Sequence, residues 1–192
     1  MKARVISTLA SLLLLLPPAG LAAATQTWSV DPVHSTAQFT AKHFGIVPVI
    51  GTIPIVKASL QIPEGSKIPT AVSAELDASR IDTHNDMRDS DLRSGHFFNV
   101  DVTPRLEFVS TKVDGNDPNH FTIAGNLTMH GQTHPVLLSA SVVGSGKSPR
   151  GTSIIAYAAT TTVDRTQWGI TYGPAIVSNN VDLSINVEAD HS

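Results

Sequence analysis

The chain has 192 residues, with 13 Lys and Arg against 16 Asp and Glu and a formal net charge of −3 at pH 7. No stretch concentrates the basic residues that nucleic acid binding requires, so nucleic acid is excluded as a partner. Anionic membrane surfaces are disfavoured for the same reason. Cysteine is absent, so neither a disulfide nor a cysteine-linked lipid anchor contributes to the protein.

Residues 1–24 have the features of a cleavable signal peptide. Lys2 and Arg4 precede an apolar run over residues 9–16, and Ala22-Ala23-Ala24 offers small residues for cleavage. The run is shorter than the roughly 20 apolar residues of a membrane span, so no span is expected. The sequence therefore predicts an exported protein, periplasmic or secreted, with one domain over residues 25–192. Without Lys2 and Arg4, 11 basic groups face 16 acidic ones, a net charge of −5.

Eight stretches alternate apolar and polar residues with a period of two, which is typical of strands with one buried face. Eight antiparallel strands hide that face by closing into a barrel. Because many inward positions are Ala or Gly, such a barrel is under-filled and leaves space for a ligand. The inward sets, in chain order, are Ala37, Phe39, Ala41; Ala58, Leu60, Ile62; Val72, Ala74, Leu76, Ala78; Leu106, Phe108; Phe121, Ile123, Gly125, Leu127, Met129; Val136, Leu138, Ala140, Val142; Ile154, Ala156, Ala158; and Val181, Leu183, Ile185, Val187.

The connections between these strands differ in length. Gly131-Gln132 suits the centre of a two-residue type II′ hairpin turn, which would place Leu127 opposite Val136. Residues 79–104 and 164–180 are too long for simple turns and are expected to decorate the mouth of the barrel. Acidic residues early in 86–95, a late Arg and the final Gly95 predict a short helix there. Residues 44–56 are interrupted by prolines and predict an edge strand or flap.

Several short motifs follow one another in a characteristic order. Asp31-Pro32-Val33-His34-Ser35 is followed by Phe97-Phe98-Asn99-Val100, then by Gly-Asn-Leu-Thr-Met-His-Gly at 125–131, then by Arg165 with Gly169-Ile170. In this order and spacing the motifs resemble those of the YceI-like family, and the resemblance covers nearly the whole mature chain. It implies an extended antiparallel barrel similar to that of lipocalins, and binding of polyisoprenoids or other long amphiphilic chains.

We therefore expect an all-β, eight-stranded, lipocalin-like barrel that carries a long-chain isoprenoid, such as a quinone or prenyl lipid, and is not itself a catalyst. No other cofactor is expected, and a homodimer is left open. The expected polar contacts to a lipid head group are Arg88, Arg165 and His134. The expected apolar ligand-binding residues in the barrel interior and mouth are Phe39, Phe44, Ile46, Leu76, Phe97, Phe98, Phe108, Leu127, Met129, Leu138, Ala140, Trp168 and Ile170.

Two alternatives stay open at this level. The first is an enzyme acting on a lipidic substrate, with a His/Asp pair among Asp82, His84, Asp86 and Asp89 as acid and base. The second is a stress-response interaction protein with a fully packed barrel. The eight histidines predict no metal site, because His130 and His134 point to opposite faces of the predicted hairpin.

The long connections also carry charged residues. If the two connections meet at one end of the barrel, Arg88, Asp89, Asp164 and Arg165 form a charged group. That group is either a structural salt-bridge network or a site for a polar head group.

Overall fold

The computed structural model describes residues 23–191, which form ten strands, one α-helix and two short 3₁₀ turns. The predicted signal peptide lies outside the described residues, apart from Ala23 and Ala24. The strands are β1 Thr25–Val30, β2 Thr36–His43, β3 Val47–Thr52, β4 Ile55–Pro63, β5 Ala71–Asp77, β6 Arg105–Asp117, β7 His120–Met129, β8 Gln132–Lys147, β9 Ser153–Asp164 and β10 Asn180–His191.

The ten strands occupy eight positions in a closed barrel. β1 and β2 are the halves of one bent strand, since β10 pairs antiparallel with both. β3 and β4 are the halves of the next, because β3 pairs with β2 and β4 pairs with β1. From β4 the sheet continues in chain order to β10, whose pairing with β1 closes the ring. The predicted eight-stranded antiparallel barrel is confirmed.

The bend between β1 and β2 is held by side chains of the segment 31–35. The Asp31 carboxylate accepts hydrogen bonds from the Val33 amide at 2.7 Å and pairs with Nδ1 of His34 at 2.8 Å. The Asp31 amide donates to the Glu188 carbonyl on β10, and the Glu188 amide donates to Oγ of Ser35. These bonds fasten the bend to β10 where the ladder is interrupted.

The α-helix α1 spans Asp86–Arg93, within the predicted range. It begins because the Asn85 side chain accepts a hydrogen bond from the Arg88 amide, and Asp86 and Asp89 lie in its first turn. Its end is not set by Gly95 as predicted, since Ser94 already has extended backbone and closes the last turn. No helical segment within residues 23–191 has the length and apolar character of a membrane span.

The turn between β7 and β8 differs from the prediction. Met129 pairs with Gln132, so the two central residues are His130 and Gly131. Both have positive φ, 50° and 74°, which makes the turn type I′ rather than II′. Leu127 consequently faces His134 instead of Val136. The register differs by two residues, so the same side chains still face inward.

The predicted inward face of β9 is wrong. Tyr157, Ala159, Thr161 and Val163 border the barrel interior, so the odd-numbered residues face inward. The expected set of Ile154, Ala156 and Ala158 lies on the other face. The segment 154–159 is apolar on both parities, and periodicity alone cannot choose between the faces of such a strand.

Candidate binding cavity

An elongated cavity of about 230 Å³ occupies the barrel interior, and its surface is apolar. Val181 and Val187 of β10 both border it, and six residues of strand rise by about 3.3 Å each, so the cavity extends roughly 20 Å along the strand. Other lining residues are Val30, Ala37, Phe39, Ala41, Ile53, Ile55, Ala58, Leu60, Pro69, Val72, Ala74, Leu76, Leu92, Phe97, Phe98, Leu106, Phe108, Ile123, Leu127, Met129, Val136, Leu138, Ala140, Tyr157, Arg165, Ile170 and Val177.

Small inward residues account for the cavity in part only. Two glycines make room for aromatic rings: a Cβ at Gly125 would lie 2.4 Å from Cζ of Phe108, and one at Gly51 would lie 2.4 Å from Cζ of Phe39. Inward alanines such as Ala74 and Ala140 border the empty space. A fully packed barrel is therefore ruled out for this interior.

The barrel end opposite α1 is closed. Phe121 and Tyr157 are 1% and 5% exposed there, and Pro69 of the β4–β5 loop is fully buried. The Tyr157 hydroxyl donates a hydrogen bond to the Lys67 carbonyl at 2.8 Å, which holds this loop across the opening. Burial raises the pKa of Tyr157, so the hydroxyl stays neutral and remains a donor.

At the end that carries α1, the two long connections meet. His96 stacks on Tyr172 with ring centroids 4.0 Å apart, and Phe97 contacts the edge of the same tyrosine. The lining residues Leu92, Phe98 and Val177 are only half-buried at this end. We refer to this end as the mouth of the cavity.

The expected charged group is not formed. Arg88 donates to the hydroxyl and carbonyl oxygens of Thr83, whose amide and hydroxyl donate to the Asp89 carboxylate. The Asp164 carboxylate accepts hydrogen bonds from the Thr166 amide and hydroxyl instead. No ion pair joins the two connections within residues 23–191.

Arg165 instead holds the second long connection together. Its guanidinium donates to the carbonyls of Ile170, Val177 and Ser178 at 2.7, 3.1 and 3.0 Å and lies 5.9 Å from the centre of the Phe97 ring. The residue is buried, and that burial lowers its pKa. Arg165 therefore fixes the loop at the mouth as a backbone-binding cation.

Eleven of the predicted site residues border the cavity, including Arg165, and five do not. Phe44 and Ile46 are exposed at the tip of the β2–β3 hairpin, beside the mouth and not in the interior, and their contact with a ligand stays a prediction. Trp168 is buried outside the cavity, where its indole N–H donates to the Leu127 carbonyl. The Trp168 and His134 rings are nearly perpendicular, and their centroids lie 5.1 Å apart. His134 and Arg88 likewise do not border the cavity, and their contact with a head group stays a prediction.

Several lining residues escaped the sequence analysis. Val30, Ile53 and Ile55 flank the bends in the two bent strands, and Pro69 belongs to a loop, so none sits in an alternating run. Tyr157 was missed because the wrong face of β9 was chosen. A bulky aromatic beside alanines was the available signal for the inward side of that strand.

The residues proposed for acid-base chemistry do not form a pair at the cavity. The His84 side chain is 92% exposed and lies 3.5 Å from Asp82, whereas Asp89 is engaged by Thr83. Within residues 23–191 the group that brings three metal-capable side chains together is Asp31, His34 and Glu188, at the bend described above. Glu188 comes from β10, so its approach to His34 was not visible in sequence spacing.

The fold and its interior define a class of protein: closed up-and-down β-barrels with an elongated apolar cavity. The sequence model of the YceI-like domain matches residues 28–189, and the chain belongs to this family. A UPF0312 protein of Pectobacterium atrosepticum is 32% identical over 168 residues, covering 86% of each chain. One from Enterobacter sp. is 33% identical over 157 residues, covering 81% of this chain and 80% of its own.

Solved structures share the fold. BcnA of Burkholderia cenocepacia superposes with a TM-score of 0.73 at 17% identity, covering 83% of this chain and 98% of its own. The YceI protein of Campylobacter jejuni gives 0.68 at 23% identity, covering 79% and 90%. A domain of Saccharophagus degradans described as polyisoprenoid binding gives 0.59 at 11% identity, covering 86% and 98%.

Proposed function

We propose that this protein is an exported carrier that holds the apolar chain of an isoprenoid or related amphiphilic lipid inside its barrel and performs no chemistry on it. The observation that carries the proposal is the elongated apolar cavity of about 230 Å³ inside the barrel. The description of the Saccharophagus degradans domain as polyisoprenoid binding supports the same class of ligand. The apolar run in residues 9–16 supports export to the periplasm.

Binding in such a cavity is driven by the removal of methylene groups from water. Each buried methylene contributes about 0.8 kcal/mol, so affinity grows with the length of chain that enters. The lining offers no polar surface for a head group, which therefore stays at the mouth. The expected cargo is thus selected by the length and flexibility of its chain more than by its head.

The test is to identify what the protein carries when it is purified gently from the cells that produce it. Mass spectrometry of organic extracts is expected to find a prenyl lipid in stoichiometric amount. Ala140→Phe places a ring in the cavity and is expected to abolish this lipid at a cost in stability of roughly 1–3 kcal/mol. Ser139→Phe is the matched control, because the neighbouring position on β8 is exposed on the outside of the barrel.

Two results would contradict the proposal. The first is repeated absence of lipid from the wild-type protein. The second is equal lipid content in Ala140→Phe and Ser139→Phe. A lipid whose binding is unaffected by a ring in the cavity does not occupy the cavity. Thermal unfolding of both variants shows whether each remains folded.

A further inference from the structure

The β2–β3 hairpin ends in an exposed apolar tip beside the mouth of the cavity. Phe44, Ile46 and Val47 are 60%, 79% and 55% exposed. Ile176 of the long β9–β10 connection extends this surface, because the Phe44 amide donates to the Ile176 carbonyl at 2.8 Å. We call these four residues the tip patch. Contiguous exposed apolar side chains at a protruding turn are typical of a binding surface.

Folding gives no reason for a phenylalanine at this turn. Phe44 and Gly45 are the central residues of a type I′ turn, with φ of 52° and 71°. This turn favours Asn, Asp or Gly at the first position, because other side chains are strained at positive φ. The ring is exposed, and its aromatic neighbour is His43, the preceding residue. A strained and unburied aromatic ring points to a role outside the fold.

The charge around the tip patch differs from that of the whole chain. The β2–β3 hairpin, residues 36–52, and the adjoining loop, residues 165–179, contain no Asp or Glu, although the chain has 16. Lys42 is exposed two residues before the tip. The hairpin itself therefore adds no negative charge, and Lys42 suits contact with lipid phosphates. Acidic residues at this end of the barrel include Asp82, whose backbone bonds to that of Thr52, and those of α1.

The tip patch is also continuous with the cavity. Ala41 and Val177 border the cavity, and each is a direct or near neighbour in sequence of a tip residue. His43 pairs with Val177, which ties the hairpin to the loop at the mouth. We propose that this end of the barrel docks on a phospholipid bilayer by inserting Phe44 and Ile46. A lipid chain then passes between membrane and cavity without crossing water. The transfer of a lipid chain rests on the proposed function, whereas the contact of the tip patch with the bilayer does not.

The experiment uses the absence of native cysteine. Ile46→Cys is labelled with an environment-sensitive fluorophore and mixed with vesicles of phosphatidylethanolamine and phosphatidylglycerol. The emission is expected to shift to shorter wavelength as the label enters the apolar layer. Val143→Cys is the control, because Val143 is 67% exposed on β8, far along the strand from the mouth. Its label is expected to keep its emission in water.

Phe44→Asn in the labelled Ile46→Cys protein tests whether the ring drives docking. Asn suits the turn, so the fold is expected to remain. Loss of one inserted aromatic ring is expected to weaken vesicle binding roughly tenfold or more. No shift at position 46, or an unchanged vesicle affinity in Phe44→Asn, overturns the proposal. It is also overturned if the label shifts without vesicles and sedimentation shows a dimer that Phe44→Asn dissociates, since the tip then binds a second copy.

Calorimetric binding of farnesol in vesicle-free solution separates this proposal from the proposed function. If wild-type protein binds vesicles through Phe44 but takes up no farnesol, the cavity function fails and docking stands. If farnesol binds but vesicles do not shift the emission of the label at position 46, the cavity function is supported and the docking proposal is wrong.

Discussion

Two hairpins at the mouth of the barrel have similar backbone strain and opposite surroundings. The β2–β3 loop has three residues, because His43 pairs with Val47, and the β7–β8 loop has two. The β2–β3 turn has Phe44 and Gly45 at φ of 52° and 71°, and the β7–β8 turn has His130 and Gly131 at 50° and 74°. In both, a residue other than glycine adopts positive φ at the first central position. The backbone therefore carries the same strain twice.

The strain at His130 is offset by contacts, whereas that at Phe44 is not. Nδ1 of His130 lies 2.9 Å from the Trp168 carbonyl, and Trp168 is 1% exposed beneath the turn. The Phe44 side chain lies in solvent. One turn is therefore supported by packing, whereas the other presents its side chain to solvent, as the proposed docking requires.

The largest effect is expected from Trp168→Ala, which removes the buried ring that supports the β7–β8 hairpin. The ring is fully enclosed and its indole N–H donates to the Leu127 carbonyl at 2.9 Å. Truncation leaves a void and removes a buried hydrogen bond, so the free energy of unfolding is expected to fall by about 3–5 kcal/mol in urea titrations. A loss below about 1 kcal/mol would mean that the β7–β8 hairpin does not depend on Trp168. The two turns would then not differ in their support by packing.

The second prediction tests the similarity of the two turns. Gly45→Ala and Gly131→Ala each place a Cβ at positive φ, which costs about 1–2 kcal/mol. A Cβ at Gly45 meets nothing within 4 Å, and one at Gly131 meets Cγ2 of Thr103 at 3.7 Å, an ordinary contact. The two losses of unfolding free energy are therefore expected to be equal within about 0.5 kcal/mol. A clearly larger loss at one site would show that the turns differ in backbone strain.

The sequence predicted the barrel well because most strands have one apolar and one polar face. It failed on β9, where Ile154 and Ile155 are followed by apolar residues on both parities. It also placed Gly131 first in its turn, whereas the structure places it second, after His130. That error moved the register by two residues and left the inward face unchanged, since the side-chain period of a strand is two.

The sequence predicted the cavity-lining residues of regular strands better than those at bends and in connections. Regular strands supplied residues such as Leu138 and Ala140, but the bends at Ile53 and Ile55 follow no period. Trp168 and Phe44 are both aromatic residues in or beside connections, and nothing in the local sequence says that one is buried and the other exposed. Their difference depends on which other segments arrive at the mouth, and that is settled by the tertiary fold.

A smaller effect is expected from Phe44→Asn, which relieves the strain of the exposed turn without removing packing. Asn is favoured at the first position of a type I′ turn. The free energy of unfolding is expected to stay the same or rise by about 0.5 kcal/mol. Phe44→Ala serves as the control, since it removes the ring without adding a favoured turn residue. Destabilisation by more than about 1 kcal/mol in Phe44→Asn would show that the ring packs after all.

The smallest effect is expected at the bend between β1 and β2, which forms the base of the exposed hairpin. The hydrogen bond to the Asp31 carboxylate, with the charges of Asp31 and Glu188, raises the pKa of His34 above its ordinary 6.5. The bond to His34 also lowers the pKa of Asp31 below its ordinary 3.8. The contribution of His34 to stability is fully present below pH 6.5, because its pKa is raised in the folded state. This contribution is lost as pH rises through the raised pKa. The contribution of Asp31 is present above pH 3.8, because its pKa is lowered in the folded state. This contribution is lost as pH falls through the lowered pKa.

The His34–Asp31 pair therefore holds the bend most firmly between about pH 4 and pH 6.5. His34 is exposed and Asp31 only half-buried, so the gain in stability is small. NMR titration of the His34 ring is expected to give a midpoint above 6.5 in the wild-type protein. The midpoint is expected to move down in Asp31→Asn, because the neutral amide no longer favours the imidazolium. A wild-type midpoint at or below 6.5 would show that the pair is open in solution. The base of the hairpin would then be held by the backbone bonds to Glu188 alone.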